Sequence, residues 1–124
     1  MALTHDITLA RNGLADLVVD QLNNGHIVFT LADGSTEVAT IDLAATAFGA
    51  AASGTATLLG VPLSDGSATG NASPVAKFLA QSSAPAEVFR GSVGTSGEDI
   101  NLSSLTVGNG DTVTLSSFTY SASA

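Results

Sequence analysis

Residues 26–43 read His26-Ile27-Val28-Phe29-Thr30-Leu31-Ala32-Asp33-Gly34-Ser35-Thr36-Glu37-Val38-Ala39-Thr40-Ile41-Asp42-Leu43, and this stretch decides the class of the fold. Its two halves are rich in β-branched and aromatic residues, and their period is two, as in strands that bury one face. Asp33-Gly34 between them readily supplies the positive φ that a tight reversal needs, so the stretch predicts a β-hairpin.

Upstream the period lengthens. Between Thr8 and Leu22, the residues Ala10, Leu14, Leu17, Val18 and Leu22 fall at helical spacing, and Ile7 extends the stripe backwards. An amphipathic helix over about 8–23 is expected, with these residues on its buried face. Asn23-Asn24-Gly25 tolerates the left-handed conformation that closes a helix. Gly13 costs that helix about 1 kcal/mol relative to Ala, so tertiary packing must hold it in place.

Downstream the strand rhythm returns. Thr55 to Val61 reads as a strand ended by Pro62, Val75 to Gln81 and Glu87 to Val93 as two strands around a turn containing Pro85. Ile100 to Leu102, Leu105 to Val107 and a last strand from Thr112 to Tyr120 follow, the last preceded by the turn Gly108-Asn109-Gly110-Asp111. Ser64 to Ser73 carries no hydrophobic period and reads as an exposed loop of the kind that makes contacts. The expectation is therefore one all-β domain over 1–124: an antiparallel β-sandwich or jelly roll of about eight strands with an N-terminal amphipathic helix. Phe29, Phe48, Phe78, Phe89 and Phe118 are its expected core anchors.

Composition narrows function. The net charge of -8 arises from 11 acidic residues against 3 basic ones, Arg11, Lys77 and Arg90. Such a surface repels phosphate backbones, so nucleic-acid binding is not expected. Most carboxylates lack a cation within the chain, which favours a basic or polar partner surface. There is no cysteine, hence neither disulfide nor thiolate metal site. No run of about 18 apolar residues occurs and the first residues carry no basic-then-apolar pattern, so synthesis in the cytoplasm without Sec export, and with no membrane partner, is the expectation.

Candidate chemistry is sparse. His5 and His26 have no histidine or carboxylate at metal-binding helical spacing, and both read as structural. Gly91-Ser92-Val93-Gly94-Thr95-Ser96-Gly97 lacks a lysine and opens no helix, which argues against a phosphate cradle. Asp16 and Asp20 at i, i+4 repel each other and oppose the helix dipole, so they are either solvated or set for a cationic partner. No catalytic residue, cofactor or metal is expected. A sugar platform is disfavoured too, because the chain has no Trp and one Tyr, Tyr120.

The segments Phe48-Gly49-Ala50-Ala51-Ala52-Ser53-Gly54-Thr55-Ala56-Thr57 and Gly91 to Leu102 resemble a family of small structural virion proteins of tailed bacteriophages. The likeness runs from Ala10-Arg11-Asn12 to the strand ending at Tyr120, while Lys77 to Arg90 departs from it in the turn Ser82 to Pro85. The resemblance implies a capsid decoration (cement) protein that binds the major capsid protein or other virion proteins, as a homo-oligomer on the particle, or else a tail- or fibre-associated component. Partner contacts would then come from Leu3, Ile7, Asp16, Asp20, Asp65 and Asn71, on the termini, the helix edge and the loop.

Overall fold

The computed structural model describes residues 11–70 and 74–121. It is mostly β with one short helix. In chain order it contains α1 (Asn12–Asp20), β1 (His26–Thr30), β2 (Glu37–Asp42), β3 (Thr55–Thr57), β4 (Leu63–Asp65), β5 (Lys77–Gln81), β6 (Glu87–Gly94), β7 (Ile100–Asn101), β8 (Val113–Leu115) and β9 (Thr119–Ser121). A five-stranded sheet runs β2-β1-β5-β6-β7, and two-stranded sheets pair β3 with β9 and β4 with β8.

The hairpin forms as its period predicts. β1 and β2 pair antiparallel from His26↔Asp42 to Thr30↔Glu37 with an irregularity at Phe29/Thr30, and Gly34 takes a φ of 73° in the turn. Alternation sends Ile27, Phe29, Ala39 and Ile41 into the core, all at most 1% exposed. The Asp33 carboxylate ties the turn together: Oδ1 accepts from the Ser35 and Thr36 N–H groups, each at 2.9 Å, and Oδ2 accepts from the Thr36 hydroxyl. The Thr36 hydroxyl, then the backbone N–H bonds, lower its pKa from 3.8 to about 2. A carboxylate whose folded value lies below its unfolded one stabilises fully above the unfolded value and loses that contribution as pH falls through the folded one. The gap in thermal midpoint between the native chain and Asp33→Asn should thus be present at neutral pH and close as pH falls from about 4 to about 2; a gap constant over that range would count against the turn geometry.

The helix is shorter than the expected span and turned differently. Residues 8–10 lie outside the described residues; α1 gives way after Asp20 to a turn in which Asn24 adopts a φ of 59°. Its buried face is Ala15, Val19 and Leu22, whereas Leu14 and Leu17 stand 43% and 64% exposed. The cause is a row of side-chain hydrogen bonds on one helix edge. Asn12 Oδ1 accepts from Gly54 N–H at 2.7 Å, Asp16 Oδ1 from Ala51 N–H at 2.8 Å, and Asn23 Oδ1 from Ala47 N–H at 2.9 Å. Segment 44–54 has few strand partners for its amides, and unpaired buried amides are costly, so these acceptors fix the rotation of the helix.

Other departures have similar causes. Ser64-Asp65 is not loop: it continues β4, and Ala68 exchanges backbone bonds with Asp111 and Gly110. The expected strand at Leu105 to Val107 does not form; Val107 is nevertheless buried, and Leu105 O accepts from Val75 N–H. The expected last strand is two, β8 and β9. Val113 and Leu115 are buried, and so is Phe118, which a period of two would turn outwards, so the chain must change phase between them. The sheet is not wholly antiparallel either, since β7 pairs parallel to β6, with Val93↔Ile100 and Gly94↔Asn101. Segment 95–99 returns the chain to the edge of β6 in the same direction.

The five-stranded sheet and the small sheets meet through aromatic rings. Phe29, Phe48, Phe78 and Phe118 are all at most 5% exposed, as expected of core anchors, while Phe89 is only half-buried. Phe118 packs edge-on against Phe78 and Phe48, with centroids 5.5 Å and 5.9 Å apart.

Candidate protein-docking site and aromatic cleft

The expected contact residues divide into three groups. Leu3, Ile7 and Asn71 lie outside the described residues. Asp16 and Asp65 do not project as free partner contacts: Asp16 holds Ala51, and Asp65 accepts from Thr40 N–H at 3.0 Å and Ser67 N–H at 2.9 Å. A backbone amide held by a carboxylate is a charge-assisted bond, and both aspartates spend their charge there. Asp20 is exposed in the last turn of α1, and its carboxylate takes part in no hydrogen bond among the described residues. Leu14 and Leu17 project from the outer face of the same helix, with Val18 half-buried beside them.

Two ionisable pairs join residues close in the fold, His26 with Asp42 and Arg90 with Glu87. His26 Nδ1 lies 2.9 Å from Asp42 Oδ1 across the β1–β2 hairpin. A hairpin reversing at Gly34 places position 26 opposite 42, so this pair follows from the register, although helical spacing rules overlook it. Arg90 Nε and Nη2 donate to the two carboxylate oxygens of Glu87 at 2.8 Å and 2.6 Å. That fork lowers the Glu87 pKa and raises that of Arg90, each chiefly through the shared hydrogen bonds.

A feature that the linear pattern does not announce lies at the junction of β6 and β9. Phe78, Phe89, Arg90, Asp99, Phe118, Thr119, Tyr120 and Ser121 line an open cleft of about 390 Å³. Four rings form its wall. Phe89 stands against Phe78 at 6.1 Å, Phe118 at 6.1 Å and Tyr120 at 5.2 Å, the last two tilted by 34°. The deep rings are Phe78 and Phe118; Phe89 and Tyr120 are half-buried and present surface to the cleft. Asp99 supplies the carboxylate. Its Oδ2 accepts from Ser92 N–H at 3.0 Å and Ser92 Oγ at 3.2 Å, while its Oδ1 has no hydrogen bond among the described residues. Gly91 makes room for this arrangement: a methyl group there would stand 2.6 Å from both Asp99 Oδ2 and the Phe78 ring.

Among the described residues no group of three or more His, Asp or Glu is placed to hold a metal, and no helix is long and apolar enough to cross a membrane. No family model, curated protein or solved structure matches the chain.

Proposed function

We propose that this chain is a structural virion protein of a tailed bacteriophage that decorates the capsid and stabilises it by protein–protein contacts. The observation that carries the reading is the outer face of α1, where Leu14 and Leu17 stand 43% and 64% exposed on a chain of net charge -8. An apolar pair on a helix that also carries the exposed carboxylate of Asp20 suits a shell protein that offers an apolar patch with a basic flank. The likeness of residues 48–57 and 91–102 to small virion proteins supports the same assignment. Those segments serve the fold itself, 48–57 as the strip clamped by α1 and 91–102 as the β6–β7 return.

A decoration protein acts by differential affinity: it binds the mature shell better than the immature one and shifts the equilibrium accordingly. Self-association around a local symmetry axis would let each assembly grip several capsid subunits at once, so modest individual contacts suffice. We also read β3–β9 and β4–β8 as the reduced second layer of a sandwich or jelly roll, a reading supported by Phe118 packed against Phe78. The reading gives the chain a virion location and assigns it no catalysis and no cofactor.

The test is a binding assay on purified particles lacking the protein. Leu17→Asp should leave stability within about 0.5 kcal/mol, because the side chain is mostly solvated. It should weaken particle binding about tenfold or more, the size expected for a docking anchor. Native-like binding by Leu17→Asp would overturn the role of α1. A copy number near that of the major capsid protein is the expected stoichiometry, and a few copies per particle would transfer the protein to the tail.

A further inference from the structure

We propose that the cleft between β6 and β9 receives the guanidinium group of an arginine side chain from a partner protein. The inference goes beyond the capsid reading and does not depend on it. Three observations converge. Phe89 and Tyr120 are half-buried rings with centroids 5.2 Å apart, tilted by 34°, so they form a shallow aromatic shelf, not a closed stack. A cation over such a face, within about 6 Å of a ring centroid, is attracted by the ring quadrupole. Asp99 at the rim keeps one oxygen, Oδ1, outside every hydrogen bond of the described residues, while Ser92 fixes the other at 3.0 Å and 3.2 Å. The carboxylate is thus oriented before a ligand arrives, which lowers the entropy lost on binding.

Charge selects the ligand class. Arg90 also lines the cleft, but its guanidinium is bound by both oxygens of Glu87, so Asp99 dominates the local field. The chain as a whole carries -8, which adds long-range attraction for a cation. Unlike the compact ammonium of lysine, the arginine guanidinium is planar and charged at every ordinary pH: it stacks on an aromatic face while an edge N–H donates to a carboxylate. The Tyr120 hydroxyl makes no hydrogen bond among the described residues, and with Thr119 and Ser121 it supplies acceptors for the remaining guanidinium N–H groups. The cleft, at about 390 Å³, is large enough for a side chain and open enough for it to enter from a protein surface.

The chain holds one Tyr and no Trp, so its intrinsic emission reports on Tyr120 alone. Titration of the full chain with acetyl-Gly-Arg-Gly-amide should change that emission saturably. The same peptide with Gln in place of Arg should have no effect. Asp99→Asn keeps an acceptor for Ser92 and removes the charge, and should weaken the arginine peptide about tenfold, as should high salt. Phe89→Leu gives an independent variant that leaves Asp99 intact and should weaken binding as well. Equal responses to the Arg and Gln peptides, or full affinity in both Asp99→Asn and Phe89→Leu, would overturn the assignment. So would a stronger response to choline or to methyl glucoside, which would make the cleft a site for ammonium or sugar.

Discussion

Gly25→Ala should destabilise the fold by about 3 kcal/mol, read as a lowered urea midpoint with an unchanged slope. Gly25 joins the turn after α1 to the start of β1, and it sits where three chain segments touch. Its N–H donates to Leu22 O at 2.8 Å and its carbonyl accepts from Leu43 N–H at 2.9 Å. A β-carbon there would stand 2.0 Å from Gln81 O and 2.8 Å from Leu22 O. Both obstacles are backbone atoms, one of them in the central strand β5, so neither moves without dislocating the β1–β5 ladder. The outcome is not a generic response to losing a glycine. Gly13, in α1, has nothing within 4 Å of the same position, and Gly13→Ala should stabilise by up to about 1 kcal/mol through helix propensity. Opposite signs for the two substitutions are the expected result; a Gly25→Ala variant as stable as the native chain would mean that the close approach at Gly25 does not exist in solution.

Why one glycine is fixed by packing and the other is not shows how far the sequence can be read. The hairpin over 26–43 was legible because two local signals agree: a period of two on both arms and an Asp-Gly reversal between them. Its register then places His26 against Asp42, an inference within reach of the sequence. The existence of α1 was legible by the same route, and the turn at Asn24 too. The rotation of α1 was not. Leu14 and Leu17 have the spacing of a buried stripe, yet three amides of 44–54 need acceptors, and Asn12, Asp16 and Asn23 supply them at helical spacing. That polar stripe looks like a solvated face until the segment it satisfies is in place. Hydrogen-bond demand from a distant segment outweighed the burial of two leucines, and no window of sequence contains both sides of that balance.

The rest was hidden for related reasons. Ser64-Asp65 and Ala68 to Gly70 carry no period because they are held by backbone bonds to 110–115 and to Val38, which small residues permit but do not announce. The cleft draws Phe89 from β6, Asp99 from the return to β7 and Tyr120 from β9, residues that local patterns assign to separate elements. The count of aromatics argued against a sugar platform. Their convergence, not their number, is what makes the shelf, and convergence is set by the phase change between Leu115 and Phe118 that brings Phe118 inward.

Phe78→Ala should be the most costly of the single core truncations at this junction, at about 3–5 kcal/mol. Phe78 lies in β5, the central strand of the five-stranded sheet, pairs with Phe29 and Gly91 on its two sides, and is 1% exposed. Its ring meets Phe118 at 5.5 Å and 76° and Phe89 at 6.1 Å and 89°, both edge-to-face, a geometry worth about 0.5–1.5 kcal/mol per pair beyond burial. Removing it empties space in the core where its ring meets Phe118 and Phe89. Because domains of this size retain only about 5–15 kcal/mol in total, a loss of that order leaves a marginal fold. Phe89→Ala removes a ring of the same size from a half-buried position, so it should cost about half as much, and the difference isolates the value of complete burial. Urea denaturation of both variants decides the matter. Were Phe89→Ala the more damaging, the junction would be organised around the cleft wall and not around β5.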